Sequence, residues 1–273
     1  MLFSTFLVAA LSAGSTSATP PTAAILADGL SLYQLERASW VATDLMLATT
    51  IDRAQIGGYL SYLDGDSVRT IFWAHEAGGN VGSPLLASYA FPRRDVRVET
   101  ANFRPAGTFN AHEAKLFTIR IAAKAELNAP EKGYVTPPNS SLNLAFLEDK
   151  NETRVYVLTG PEESGIVPIG NDYLFVFSPS GQLKHSERLH NSYLPMRRDA
   201  SLGTIETMIH SHLEAHPYIT PTDICSILLY KEQLSARQHH VIGKEYVSLF
   251  DIDKQQLIIL TRKAFEKIIN DKH

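Results

Sequence analysis

Cysteine is almost missing from this chain. Only Cys225 occurs among 273 residues, so neither an intramolecular disulfide nor a Cys-based zinc cage can form. Its setting, Asp223-Ile-Cys-Ser-Ile-Leu-Leu229, is that of a small apolar core residue rather than a nucleophile. Concentrated charge is equally scarce. The formal net charge is −4, and the arginine pairs Arg93-Arg94 and Arg197-Arg198 stand apart from any aromatic run. A phosphate-binding surface needs clustered Lys and Arg, so nucleic acid is not an expected partner. No glycine-rich loop opens a helix, which argues against nucleotide binding. No Gly-x-Ser-x-Gly occurs, which removes the nucleophile elbow of the serine hydrolases. No apolar run is long enough for a membrane span.

What is present is an ordinary globular composition, 44% hydrophobic, 9% aromatic and 20% charged. The first residues differ. Met1 to Gly14 is apolar and uncharged, and small residues follow up to Ala18-Thr19-Pro20-Pro21. An apolar core of that length before small residues reads as a secretory signal over 1–18, cleaved near Ala18, although no Lys or Arg precedes it. The chain is therefore expected to be exported, periplasmic or secreted. Asn139-Ser-Ser141 and Asn151-Glu-Thr153 are glycosylation sequons if the source is a secretory eukaryote.

Residues 24–128 read as an N-terminal α+β region. Leu32, Leu35, Ser39, Ala42 and Met46 recur at helical spacing over 30–48. The runs 58–63 and 68–73 flank an Asp64-Gly65 turn and predict a hairpin. A strand over 85–91 and a helix over 111–127 follow. Three prolines and a glycine make 129–141 the linker. In 142–273, strands are expected at 142–146, 154–159, 172–177, 182–188 and 205–209. Then come a helix from Pro221 to near His239, a hairpin of 241–250 with 256–261, and a helix over 262–269. Helix and strand mix without a βαβ alternation, so the class is α+β, a mixed sheet flanked by helices.

The chemistry concentrates in His210-Ser211-His212 and Thr220-Pro221-Thr222-Asp223. Histidines two apart at a strand end project to one side. Asp223 arrives from the first turn of the next helix as a third ligand. Three protein ligands leave one zinc position for water, as a catalytic site requires. Thr220 offers a hydroxyl near the reacting oxygen.

This order, His-x-His, seven residues, a hydroxyl residue, two residues, Asp, resembles the JAMM signature of the JAB1/MPN metallopeptidases. The resemblance covers about 150–262 and does not reach the N-terminal half. It implies a JAB/MPN-like, cytidine-deaminase-like fold for 142–273, with His210, His212 and Asp223 holding Zn²⁺. It further implies Thr220 as oxyanion helper, an upstream Glu as general base, and a peptide or isopeptide substrate in a protein or peptide partner. Glu162, in Glu162-Glu-Ser-Gly165-Ile-Val-Pro-Ile-Gly170, is the candidate base. The sequence departs from the pattern at Thr220, where the family has serine, at Leu213, where it has proline, and by one extra residue before Gly170.

Simpler roles exist for each piece. Thr220-Pro221-Thr222-Asp223 is also a helix start, with an N-cap, Pro at the first position and an acid at the third. His216 is a possible extra ligand, and His239-His240 reads as the end of a helix. Two functions follow: an exported zinc-dependent hydrolase, or a non-catalytic secreted binding protein of the same fold with a structural or vestigial His cluster.

Overall fold

The first helix forms where Ala, Leu and Ile crowd behind Pro21. In the computed structural model, which describes residues 19–75, 84–197, 205–234 and 236–271, α1 runs Thr22–Leu47. It starts earlier than the apolar repeat predicts, because Ala23 to Ala27 are good helix formers. The expected stripe of Leu32, Leu35, Ala42 and Met46 is buried. The leader read over 1–18 lies outside the described residues.

The chain is α+β, with several sheets rather than one. Strands β1 (Ile56–Asp64), β2 (Ser67–Ala74), β3 (Leu85–Pro92) and β4 (Asn102–Gly107) form an antiparallel sheet in that order. The Asp64-Gly65 turn closes the expected hairpin, with Asp64 opposite Ser67. Helix α2 (Ala111–Leu127) starts on a capping box in which Asn110 and Glu113 satisfy each other's backbone N–H groups. A second antiparallel sheet has the order β5 (Ser140–Glu148), β6 (Thr153–Pro161), β8 (Tyr173–Phe177), β9 (Leu183–Arg188). Strands β7 (Ile166–Gly170) and β10 (Tyr193–Arg197) pair separately.

The segment 129–141 joins α2 to β5, and the apolar clusters extend across it. One cluster joins Leu35, Phe72 and Phe91 to Ala145, Leu147 and Tyr156. Another joins Leu60, Leu116 and Phe117 to Phe146, Val155 and Phe175.

The last sheet is the mixed one. β11 (Ile205–Ser211) pairs parallel with β12 (Ala236–Ile242), which pairs antiparallel with β13 (Tyr246–Asp251) and that with β14 (Gln256–Thr261). Between β11 and β12 lie α3 (Pro221–Leu229) and α4 (Lys231–Leu234); α5 (Arg262–Asn270) closes the described chain. The expected helix from Pro221 to His239 therefore stops early. Lys231 to Gln238 are good helix formers with no proline or glycine to break them, but β11 supplies a free edge. There the pairing along β11, with His239 and Val241 buried on one face, overrides local propensity. The expected strand 241–250 divides likewise at Gly243, whose N–H donates to the Tyr246 carbonyl at 2.9 Å.

Helix α3 crosses α1 at Gly29. A Cβ built there would lie 2.7 Å from the Ile224 Cβ, so only glycine lets the helices meet this closely. This crossing fixes the start of α3, beside which the candidate site lies. No helix among the described residues is long and apolar enough to cross a membrane.

Candidate metal centre

Three segments converge at the start of α3. β11 ends at His210-Ser211 and leads into His212, whose N–H donates to the Ile242 carbonyl at 3.1 Å. The first turn of α3 brings Asp223. His190 comes from the loop after β9. Gly170 and Asn171 hold that loop in place through left-handed backbone at φ 83° and 55°. A Cβ on Gly170 would sit 2.2 Å from the Ser192 carbonyl oxygen. Asn171 N–H donates to that same oxygen at 2.9 Å, and Leu189 N–H donates to the Asp172 carbonyl at 3.0 Å.

His190, His210, His212 and Asp223 each place a ligand atom within 4.8 Å of the others. His212 Nε2 lies 2.7 Å from His190 Nε2 and 2.9 Å from His210 Nε2. Asp223 Oδ1 is 3.4 Å from His190 Nε2 and 3.6 Å from His210 Nε2, and Oδ2 is 3.3 Å from His212 Nε2.

The outer nitrogens of the rings decide which way the inner ones face. His212 Nδ1 lies 2.6 Å from the Tyr218 carbonyl and 3.0 Å from that of His216. A carbonyl only accepts, so Nδ1 carries the proton and Nε2 is bare. His190 Nδ1 donates to Asp172 Oδ1 at 2.6 Å, which turns its Nε2 inward the same way. His210 Nδ1 meets His239 Nε2 at 2.6 Å. Two bare imidazole nitrogens cannot hydrogen-bond each other, so each short contact takes either a proton on one ring or a cation between the rings. Ligands at about 2.0–2.1 Å around a tetrahedral ion stand roughly 3.3 Å apart, so the nitrogens would separate by about half an ångström on binding.

Charge points the same way. Asp172 and Asp223 are both buried, and among the described residues their only ionic partners are histidines. Two carboxylates facing neutral imidazoles make a formal −2, which one divalent cation balances. Burial opposes charge on His190, but the carboxylates of Asp172 and Asp223 outweigh it and push its pKa up to about 11. One proton there supplies half of the missing charge. Burial would raise Asp223, yet His190 and His212 hold its carboxyl well below the usual range. Burial pushes His210 down, against the pull of Asp223. Burial, with His210 beside it, drives His239 down to about 3, so His239 is neutral. At this site Asp223 Oδ1 and His239 Nδ1 are buried and without a hydrogen-bond partner among the described residues. The first of these faces the histidines. An orphaned buried carboxylate oxygen is costly unless something fills the space before it.

The structure brings His210, His212 and Asp223 together. Asp223 serves two purposes, since Oδ2 accepts from the Thr220 N–H at 2.8 Å as a helix cap while Oδ1 faces the rings. Thr220 stands beside Asp223 at the helix start. Its hydroxyl donates to Asp223 Oδ2 at 2.9 Å and is shared with Thr222 at 2.8 Å, so it positions the carboxylate. Glu162 lies away from the cluster. It is exposed in the turn before β7, and its N–H donates to the Asn139 carbonyl at 3.0 Å. The histidines sit past the other end of β7, a strand of about 13 Å. His216 spends its Nε2 on the Arg188 carbonyl at 2.9 Å.

His190, Asp172 and His239 did not emerge from sequence. His190 and Asp172 stand alone in turns with no spacing to link them to His210. His239 shows a signal only once β12 is read as a strand. Beside His190 and His212 opens a cavity of about 110 Å³, whose polar lining includes Asn191, Ser192 and Ser211.

Comparison of the chain with family models, with curated proteins and with solved structures returns no match.

Proposed function

We propose that this protein binds one first-row divalent metal ion, Zn²⁺ foremost, through Nε2 of His190, His210 and His212 and a carboxylate oxygen of Asp223. The observation that carries the proposal is the set of inward-facing nitrogens around an orphaned buried oxygen, Asp223 Oδ1. A donor set of three imidazoles and one carboxylate suits Zn²⁺ or another transition ion better than Mg²⁺ or Ca²⁺, which prefer all-oxygen shells. Asp172, the Tyr218 carbonyl and His239 are the outer partners that hold the rings in register.

Beyond binding, we propose hydrolysis of peptide or isopeptide bonds, in line with the resemblance to JAB1/MPN enzymes and with the cavity beside His190 and His212. A bound divalent ion supplies Lewis acidity and an acidified water. In this reading Thr220 orients Asp223, and Glu162 has no part in the chemistry. The second reading, a binding protein with a structural ion, is favoured by a specific feature. Four protein donors complete a tetrahedral shell, as structural zinc sites do. Export to the periplasm or the exterior is part of the proposal and rests on 1–18; a mature N-terminus at Thr19, read by mass spectrometry, checks it.

The test is metal analysis of the purified full chain beside His212→Ala. About one ion per chain, lost in the variant, is expected; equal content in both ends the metal proposal. A chelator that removes the ion should lower Tm by on the order of 10 °C if free metal had stood about a thousandfold above Kd. Peptidase activity that survives complete metal removal would refute the hydrolase extension alone.

A further inference from the structure

Away from the metal centre, α2 turns two cations toward a small cavity. Arg120, Lys124 and Leu127 lie at i, i+4 and i+7 of α2, on one face. Opposite them are Tyr59 of β1 and Leu142, Asn143 and Leu144 of β5, and the seven residues enclose about 100 Å³. Like charges four apart on a helix repel, and partial burial of Arg120 adds to the cost. Burial pushes the Arg120 guanidinium down, and burial together with Arg120 pushes Lys124 down. Among the described residues neither has a carboxylate partner or a side-chain hydrogen bond.

Arg120 is held without spending its donors. Its guanidinium carbon lies over the Trp73 ring, 4.9 Å from the centroid, and none of its N–H groups is hydrogen-bonded to another side chain among the described residues. Its in-plane N–H groups are left for another acceptor, in the fork that suits an oxyanion. Tyr59 adds a donor. Burial, with Glu36 nearby, keeps its phenol above the ordinary value in spite of Arg120, so the proton stays on. Behind the cavity Asn143 Nδ2 donates to Glu36 Oε2 at 3.4 Å. Burial pushes the Glu36 carboxyl up to about 7, with Asn143 opposing, so Glu36 is at most a partial counter-charge.

The geometry points to a binding site for a small tetrahedral oxyanion, phosphate or sulfate, between Arg120, Lys124 and the hydroxyl of Tyr59. The cavity is well below the several hundred Å³ of sites that enclose whole organic ligands, so the group held is the oxyanion itself. It is either free in solution or the terminal phosphate of a larger molecule whose remainder stays outside.

Titration of the purified full chain with inorganic phosphate, sulfate and AMP, followed by calorimetry and Tm, tests this against chloride at matched ionic strength. Saturable binding of phosphate or sulfate, with none for chloride, is expected. Arg120→Gln should weaken it by about tenfold, and Lys124→Gln by a smaller factor. Lys124 is exposed, so its variant keeps the fold and carries the test even if Arg120→Gln does not. AMP binding tighter than phosphate identifies a terminal phosphate as the source; equal or weaker binding identifies the free ion. Affinity retained in His212→Ala separates this site from the metal centre. A chloride response equal to that of phosphate, or full affinity in both cavity variants, overturns the proposal.

Discussion

The N-terminal region and the metal centre both bury polar side chains, with opposite outcomes. Around β1 and β2, Ser39, Ser61 and Thr70 form a closed chain of hydroxyls at 2.7 and 2.8 Å that ends on the Leu35 carbonyl. Glu113, also buried, accepts from the Tyr62 hydroxyl at 2.8 Å with one oxygen and from Asn110 N–H at 2.9 Å with the other. Nothing there is left over. At the candidate metal centre every outer nitrogen of His190, His210 and His212 has a partner, and the unpaired carboxylate oxygen, Asp223 Oδ1, faces the rings. The two regions also settle buried acids differently. Glu36 has no salt-bridge partner among the described residues and burial raises its pKa, whereas Asp223 among imidazoles is held ionised. A buried polar cluster that satisfies itself is structural, and one that leaves convergent donors is a place for a ligand.

The contrast is broken most sharply by paired substitutions. Asp223→Asn should lower metal affinity by at least about 100-fold, since it removes the only carboxylate ligand. Glu113→Gln should instead leave metal content unchanged and cost about 1–3 kcal/mol in denaturant unfolding, because an amide N–H₂ would face a donor. If Glu113→Gln also emptied the site, the regions would not be separable.

Next in size is the pH response of Glu36. Its carboxyl titrates near 4.5 when unfolded and about 7 when folded, so the folded chain binds the extra proton between those values. The resulting stabilisation, on the order of 3 kcal/mol, is complete below pH 4.5 and is lost as pH rises through 7. Glu36→Gln should flatten that slope in unfolding midpoints measured across the window; an unchanged slope assigns it elsewhere.

A smaller effect is expected at His239. His239→Gln should weaken metal binding by about 10- to 100-fold in a competition titration while the site still fills at saturation. Parity with the unaltered protein would show that the 2.6 Å contact to His210 holds nothing in place. Glu162→Gln should change neither metal content nor any peptidase activity. Lost activity there would restore the sequence-based assignment of the base.

Part of the site was legible because its residues are close in sequence. His210, His212, Thr220 and Asp223 occupy one strand, loop and helix start, and period-two and capping rules place them without tertiary knowledge. The capping reading and the metal reading of Asp223 looked like rivals, yet they draw on different oxygens: Oδ2 caps the helix and Oδ1 faces the rings. His190, Asp172 and His239 were not legible. They reach the cluster through the Gly170-Asn171 turn, the clamp on Ser192 and a parallel strand pairing, all long-range events. Glu162 shows the reverse case, where a motif echo points to a carboxylate that the fold leaves exposed before β7, away from the cluster.

By itself the sequence determined the α+β class, the amphipathic α1, the hairpin at Asp64-Gly65, the span of α2, the capped start of α3, and the pairing of His210 with His212, since each follows from local periodicity or local hydrogen bonding. Only the tertiary structure decided that residues 236–242 form a strand, that apolar clusters span 129–141, and that His190 stands opposite Asp223. Those outcomes depend on which free edge or helix face is offered by chain far away, and local propensity carries no record of it.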